Sequence, residues 1–406
     1  MPKQTSQLID ILNRASPAKR ILAAPAADRG LSEAPHYPLL ALVGQIEMKI
    51  ALVLNLVNPL IGGVLLIGPR GTGKTTAVRG LIDLLPSILR STCPNGNGCE
   101  PEAVFAQGMD AICPDCGEKL GRGEPIVAPD RMRLIELPLN ARLDDVIGGL
   151  NERVVVEQQR VRLERGILSQ ADQNVLYIDE VNLLDEQIVD AILDAAAQGQ
   201  YVVRRGPLAA TYRSRLVLIG TMNPEEGLLR PQIQDRFGLR VVVRGLPKEA
   251  DRLAIYHRAQ AYRSNPYALA IDWLDETRAA AQEIVTARER LAQVELPSKV
   301  ERLGLRWIRD LKIDSHRTEM ALFEAARAYA AADSRTRVTE KDLRAVASLA
   351  LRQRQSGFMH EYFVQHDSEE RRIRRVMNNT PTSRRQQHAA SSILPRRAKS
   401  TRQGRR

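Results

Sequence analysis

The stretch Gly68–Gly80, GPRGTGKTTAVRG, follows directly on the apolar run Gly62–Ile67, GGVLLI. It carries the pattern G-x-x-x-x-G-K-T, with Gly68, Gly73, Lys74 and Thr75 at the fixed positions. A strand that enters such a loop and a helix that leaves it turn consecutive backbone N–H groups, and the positive helix end, toward a phosphate. Pro69, Arg70, Gly71, Thr72 and Thr76 complete the loop. Lys74 is expected to reach the β- and γ-phosphates, and the Thr75 hydroxyl to bind Mg²⁺. The stretch therefore predicts a nucleotide site for ATP with Mg²⁺.

Working outward, four more apolar runs have strand length and β-branched content: MRLIELPL from Met132, VLYID from Val175, LVLIGTMN from Leu216 and LRVVVRGLP from Leu239. Together with GGVLLI they predict an α/β fold, a five-stranded parallel sheet covered by helices on both faces. From Pro247 to about Gln355 the pattern is helical only, as in TEMALFEAARAYAAA from Thr318. The expected organisation is an N-terminal arm over 1–35, a nucleotide-binding core over 36–247, a helical domain over 248–356 and a basic, disordered tail over 357–406.

A phosphate loop alone does not specify hydrolysis. VLYIDE ends an apolar strand on Asp179 and Glu180. Asp179 is placed to hold the Mg²⁺ of MgATP together with Thr75, and Glu180 to polarise the attacking water. Asn223, at the end of the next strand, offers a neutral amide to orient that water. LLRPQIQDRFGLR then presents Arg230, Arg236 and Arg240, with Arg236 the candidate for an arginine that neutralises developing charge on a neighbour's γ-phosphate.

The net charge of +11 invites a nucleic-acid reading, but its distribution argues against one. Residues 371–406 hold twelve Lys or Arg and no Asp or Glu, so the rest of the chain carries 47 basic and 48 acidic side chains. The body is near neutral and the tail supplies the basicity. No stretch approaches the roughly 20 apolar residues of a membrane span, and no signal pattern opens the chain, so a cytoplasmic location is expected.

All four cysteines fall in one insertion, 91–125: Cys93, Cys99, Cys113 and Cys116, spaced C-x5-C-x13-C-x2-C. Four thiolates with a CPDCG turn suit a closed, structural Zn²⁺ site. An iron–sulfur cluster uses the same ligands, and unligated thiols are the remaining alternative.

The order LVGQIEMKIAL, GPRGTGKTTAVRGL, LYIDEVNLLDEQIVDAILDAAAQG, GTMNPEEGLLRPQIQDRFGL resembles the AAA+ ATPase subunit of magnesium chelatase over roughly residues 36–355. The resemblance implies an AAA+ core with a helical lid, assembled as a homo-oligomeric ring, a hexamer, that hydrolyses MgATP. It implies two partners: a second AAA+ subunit with an integrin-like domain (the D subunit), and a large porphyrin-binding subunit (the H subunit) that inserts Mg²⁺ into protoporphyrin IX for chlorophyll and bacteriochlorophyll synthesis. By the same resemblance Asn223 is sensor 1, Arg236 the arginine finger and Arg317 the sensor 2 arginine of the lid. Val43 and Gly44, in LVGQ, belong to the segment lining the adenine. A cobalt chelatase motor, or a general remodelling ATPase paired with an integrin-domain protein, has nearly the same sequence requirements. A nucleotide-gated scaffold or a nucleic-acid-binding ring fits less well, given intact Glu180, Asn223 and Arg236 and a neutral body. The cysteine insertion and the basic tail depart from the best-known members of the family.

Overall fold

The structure is a computed structural model that describes residues 35–93, 98–149, 163–205, 208–227, 229–354, 368–375 and 377. The N-terminal arm, 1–35, lies outside these apart from residue 35.

Five strands form one parallel sheet: β1 (Val64–Ile67), β4 (Leu134–Leu137), β5 (Val175–Ile178), β8 (Val217–Met222) and β9 (Leu239–Val242). Their order across the sheet is β4-β5-β8-β1-β9, and each arises from one of the five apolar runs. Central parallel strands are covered on both sides, which is why they read as unbroken apolar runs instead of alternating ones. Side chains still alternate between faces. Val64, Leu66, Val175, Tyr177, Val217 and Ile219 join one core, whereas Leu65, Ile67, Leu176, Ile178 and Leu218 join the other.

The first face packs on helix α1 (Ile46–Val57) and on the C-terminal helices, among them α7 (Leu274–Leu291), α8 (Ser298–Asp310), α9 (His316–Ala332) and α10 (Glu340–Leu351). Buried Ala325, Ala326, Ala328, Ala330, Ala331 and Ala332 let α9 approach its neighbours closely. A capping box sets the start of α10, where the Thr339 amide donates to Asp342 Oδ2 at 2.7 Å. On the second face lies α5 (Glu186–Gln198), whose N-cap Asp185 accepts from the Gln187 amide at 2.9 Å.

Two antiparallel ribbons went unanticipated. Strand β2 (Ser87–Ser91) pairs with β3 (Val127–Arg131), and the cysteine insertion hangs from their open end. Strand β6 (Gln200–Arg205) pairs with β7 (Leu208–Arg213). The second ribbon does carry a signal: two β-rich runs, QYVVRR and LAATYR, flank a Gly-Pro. The first carries little, since β2 is mostly exposed or half-buried along its length.

Of the tail expected over 357–406, the structure describes only residues 368–375 and 377. The segment from Gln355 onward is a unit of its own, and residues 368–375 within it are helical. Glu370 and Arg374, one helical turn apart, pair at 3.2 Å.

Candidate nucleotide site

The first loop glycine, Gly68, is required for space. A Cβ there would lie 2.2 Å from the Val243 carbonyl oxygen behind the loop. Gly73 is required for conformation, with φ +86° at the N-cap of α2 (Lys74–Arg79). The loop closes on itself through the Lys74 amine, which donates to the Gly68 carbonyl at 2.6 Å and the Pro69 carbonyl at 2.9 Å.

Parallel register then brings the acidic motif to the loop. Pairing of Ile178 with Gly220 and of Leu65 with Gly220 ends β5 two residues before β8 and β1, which finish level at Met222 and Ile67, so Asp179 and Glu180 emerge beside the last residues of β8. The ligand crevice of an open parallel sheet lies beyond the C-terminal ends of its strands. There Arg70, Gly71, Thr72, Gly73, Lys74, Thr75, Thr76, Asp179, Glu180, Thr221 and Asn223 line one cleft of about 230 Å³.

Across its floor the Thr75 hydroxyl faces Asp179 at 3.3 and 3.5 Å. Burial lowers the Lys74 pKa, against the attraction of Asp179, Glu180 and Glu226. Glu180 has a left-handed backbone, φ 53°, uncommon for a residue other than glycine and a form of strain found at functional sites. Its amide donates to Thr221 Oγ1 at 2.9 Å and its carbonyl accepts from the Leu183 amide at 2.9 Å, which hold that conformation. Asn223 is buried, and its Oδ1 accepts from the Glu225 amide at 3.3 Å.

Three residues of this site escaped the sequence reading. Tyr177 donates to Asp179 Oδ1 at 2.8 Å, and Thr221 donates to the same oxygen. The Tyr177 hydroxyl is pushed well above its usual range, first by burial. Glu226 pairs with Arg70, whose guanidinium also lies 3.5 Å from Glu180. The alternation of β5 put Tyr177 on the face away from Leu176 and Ile178, but its partner two residues on was not foreseen.

The remaining expected residues lie outside the cleft. Arg236, at the end of α6 (Pro231–Arg236), pairs with Asp194 on α5 at 2.5 Å. Arg230 pairs with Glu186. Arg240 is buried, donating to the Gln234 and Arg352 carbonyls, so it serves packing of the C-terminal segment. Arg317 sits 4.0 Å from Asp235, the residue before Arg236. Val43 and Gly44 precede α1. Gly44 packs on Leu246 just after β9, and Gln45 donates to the Arg244 carbonyl at 2.7 Å. The neighbouring Leu42 reaches the loop, within 3.9 Å of a Cβ built on Gly73.

Cys93, Cys99, Cys113 and Cys116 converge at a separate point, with their Sγ atoms all within 4.8 Å of one another. Among the described residues no helix is long and apolar enough to cross a membrane.

Comparison with known proteins agrees with this architecture. Residues 153–236 match the family described as magnesium chelatase, subunit ChlI, and residues 308–376 match the AAA lid domain. A magnesium-chelatase subunit ChlI homolog of Methanocaldococcus jannaschii is 42% identical over 316 residues, covering 78% of this chain and 84% of the relative. The magnesium-chelatase 38 kDa subunit of Acidiphilium rubrum is 41% identical over 322 residues, covering 78% and 90%. A solved complex of the BchI and BchD subunits of magnesium chelatase holds a chain 37% identical, covering 81% of this chain and 99% of that one, at a TM-score of 0.43. With 42% and 41% identity to the two curated relatives over most of its length, a phosphate loop and acidic strand end in one cleft, and a matching lid, the chain belongs to the ChlI family of magnesium-chelatase AAA+ subunits.

Proposed function

We propose that this chain is the ATP-hydrolysing motor of a magnesium chelatase, driving Mg²⁺ insertion into protoporphyrin IX by partner subunits. The observation that carries the reading is the meeting of Thr75 and Asp179 on the floor of a cleft whose walls hold Lys74, Glu180 and Asn223. The donor set fits MgATP: a hydroxyl and a carboxylate for the metal, an amine and loop amides for the phosphates. When bound, the ion neutralises charge on the β- and γ-phosphates. Lys74 leaves its loop carbonyls for the phosphate oxygens. Glu180, held by Thr221, accepts a proton from the attacking water while Asn223 orients it.

Arg236 lies outside its own cleft and is already turned to Asp194, so its natural use is to complete the site of a neighbouring copy in a ring. We assign the same reading to Arg317 for its own subunit's γ-phosphate, and to Val43 and Gly44 for the adenine. The helical segment 248–356 acts as lid to the core 36–247. The ring is a hexamer working in the cytoplasm with an integrin-domain D subunit and a porphyrin-binding H subunit. Reconstitution with candidate large subunits, scoring Mg²⁺ against Co²⁺ insertion into the respective macrocycles, tests the assignment. Insertion of Mg²⁺ that depends on this chain and on ATP is expected, and insertion of Co²⁺ alone would replace the magnesium reading with the cobalt one.

A further inference from the structure

Among its described residues, the insertion between Ser91 and Val127 has almost no apolar core. Its buried residues are Cys99, Ile112, Cys116 and Ile126, packed with the half-buried Cys93, Val104, Cys113 and Leu120. Half of that cluster is cysteine. A segment of roughly 35 residues is too small for apolar burial alone to hold it, and such modules are stapled by disulfides or a metal. Disulfides are not the staple, because none joins any of the four cysteines.

The sulfur geometry matches a single ion. Cys93 Sγ is 3.6 Å from Cys113 Sγ and 3.7 Å from Cys99 Sγ. A tetrahedral Zn²⁺ with bonds of about 2.3 Å spaces its sulfurs about 3.8 Å apart. A multi-iron cluster places its thiolates on different irons and spreads them wider. Local chain geometry also suits thiolates. Cys113 caps α4 (Pro114–Gly121), Pro114 opens the helix, and Cys116 on its first turn is fully buried. The Cys113 amide donates to Cys99 Sγ at 3.3 Å, an N–H···S bond of the kind that orients a ligating sulfur.

The cluster is rigidly tied to the sheet by the residue after Cys99. Glu100, the N-cap of α3 (Pro101–Gln107), pairs with Arg213 at 2.7 Å and with Arg215 at 2.6 Å. Arg213 also donates to the Gly98 carbonyl at 2.7 Å, and Arg215 to Asp172 at 2.9 Å. Arg215 lies just ahead of β8, at the end of the sheet opposite the nucleotide cleft.

We infer that Cys93, Cys99, Cys113 and Cys116 bind one Zn²⁺ in a closed structural site, and that this ion fastens the insertion to the sheet by holding Glu100 between Arg213 and Arg215. All four ligand positions are filled by protein, so the ion has no open position for chemistry. Its free energy of binding is folding free energy for the insertion.

The test uses the full chain, purified anaerobically from zinc-sufficient medium. Elemental analysis is expected to find about one zinc per chain and no stoichiometric iron, as a site of four thiolates requires. Exchange with Co²⁺ alone is expected to give the thiolate-to-metal absorption of a tetrahedral sulfur site. In the double variant Cys113→Ser/Cys116→Ser, zinc is expected to be lost, and residues 98–127 to lose protection against amide hydrogen exchange. Binding of a fluorescent ATP analogue should persist in that variant, which keeps this test separate from the motor reading. Freely titrating thiols and no bound metal in the wild-type chain would overturn the site. Iron in place of zinc would overturn the identity of the ion. Loss of zinc with unchanged protection would overturn its role as the fastening. If the double variant is insoluble, metal content and the cobalt spectrum of the wild-type chain decide the site, and hydrogen exchange after chelation of its zinc decides the fastening.

Discussion

The Thr221 hydroxyl, at the end of β8, donates to Oδ1 of Asp179 at the end of β5, 42 residues earlier in the chain. The same hydroxyl accepts the Glu180 amide at 2.9 Å. One side chain thus orients the carboxylate assigned to Mg²⁺ and fixes the strained backbone of the carboxylate assigned to water. Thr221→Val keeps the shape and removes both bonds. Loss of an outer-shell partner of this kind typically lowers metal affinity or activity about 10- to 100-fold. We expect ATP turnover to fall in that range, with a raised Mg²⁺ requirement. A Mg²⁺ titration indistinguishable from wild type would show that Thr221 is only a packing residue.

Glu180→Gln and Lys74→Ala separate binding from hydrolysis. The amide introduced by Glu180→Gln cannot take the water's proton, so turnover should fall about 10²- to 10⁴-fold while MgATP still binds. Lys74→Ala removes the phosphate-binding amine and should weaken binding itself. Equilibrium binding of a fluorescent ATP analogue, measured beside steady-state phosphate release, distinguishes the two. Unimpaired turnover in Glu180→Gln would remove that residue from its role.

Arg236 tests the shared site. Arg236→Ala should fold and bind nucleotide, since its partner Asp194 is more than half exposed and a surface ion pair contributes little to stability. Hydrolysis should slow by about 10³-fold or more, the range for an arginine supplied in trans. Mixing Arg236→Ala with Lys74→Ala chains should restore part of the activity, because some intact loops then face intact arginines. No recovery despite demonstrated subunit exchange would count against a site shared between copies.

Lys49 gives a pH signature. It is buried on α1, donating to the Leu42 carbonyl at 2.6 Å and the Leu40 carbonyl at 3.4 Å. Burial, and after it the Arg258 guanidinium, lowers its pKa from 10.5 to about 8. Below pH 8 both folded and unfolded chains carry the proton and the burial penalty is complete. Between about 8 and 10.5 only the unfolded chain keeps it, so this residue's contribution to stability rises with pH. Relative to Lys49→Met, the wild-type chain should gain up to ~3 kcal/mol across that window. Denaturant unfolding of both chains at several pH values measures it, and a pH-independent difference would show that Lys49 is not titrating there.

Arg354 anchors the end of the described C-terminal helical region to the core. Its side chain is fully buried and donates to Asp235 Oδ1 at 2.8 Å and to the Phe237 and Gly238 carbonyls at 3.0 and 2.8 Å. Asp235 also accepts from Ser315 at 2.6 Å. Arg354→Met strands those acceptors, and breaking a buried pair from one side costs about 3–5 kcal/mol. Chemical denaturation should show that loss, and a change under about 1 kcal/mol would mean water replaces the guanidinium.

The sequence alone determined the features that are local. Five apolar runs became the five strands of the parallel sheet, and the loop after β1 was legible because its glycines and lysine are fixed within eight residues. The helical C-terminal region was legible for the same reason, through its periodicity. Tertiary structure decided everything that joins distant segments. The strand order β4-β5-β8-β1-β9 places Asp179 against Thr75, although they lie 104 residues apart. Thr221 became a partner of Asp179 only because β5 and β8 are neighbours in register, which no apolar pattern encodes. Arg236 met Asp194 through packing of α6 on α5, and four cysteines spread over 24 residues met at one point. The physical reason is common to these cases. Periodicity reports which face of an element is buried, whereas the polar contacts of a site depend on register and crossing between elements that the chain brings together only when it folds.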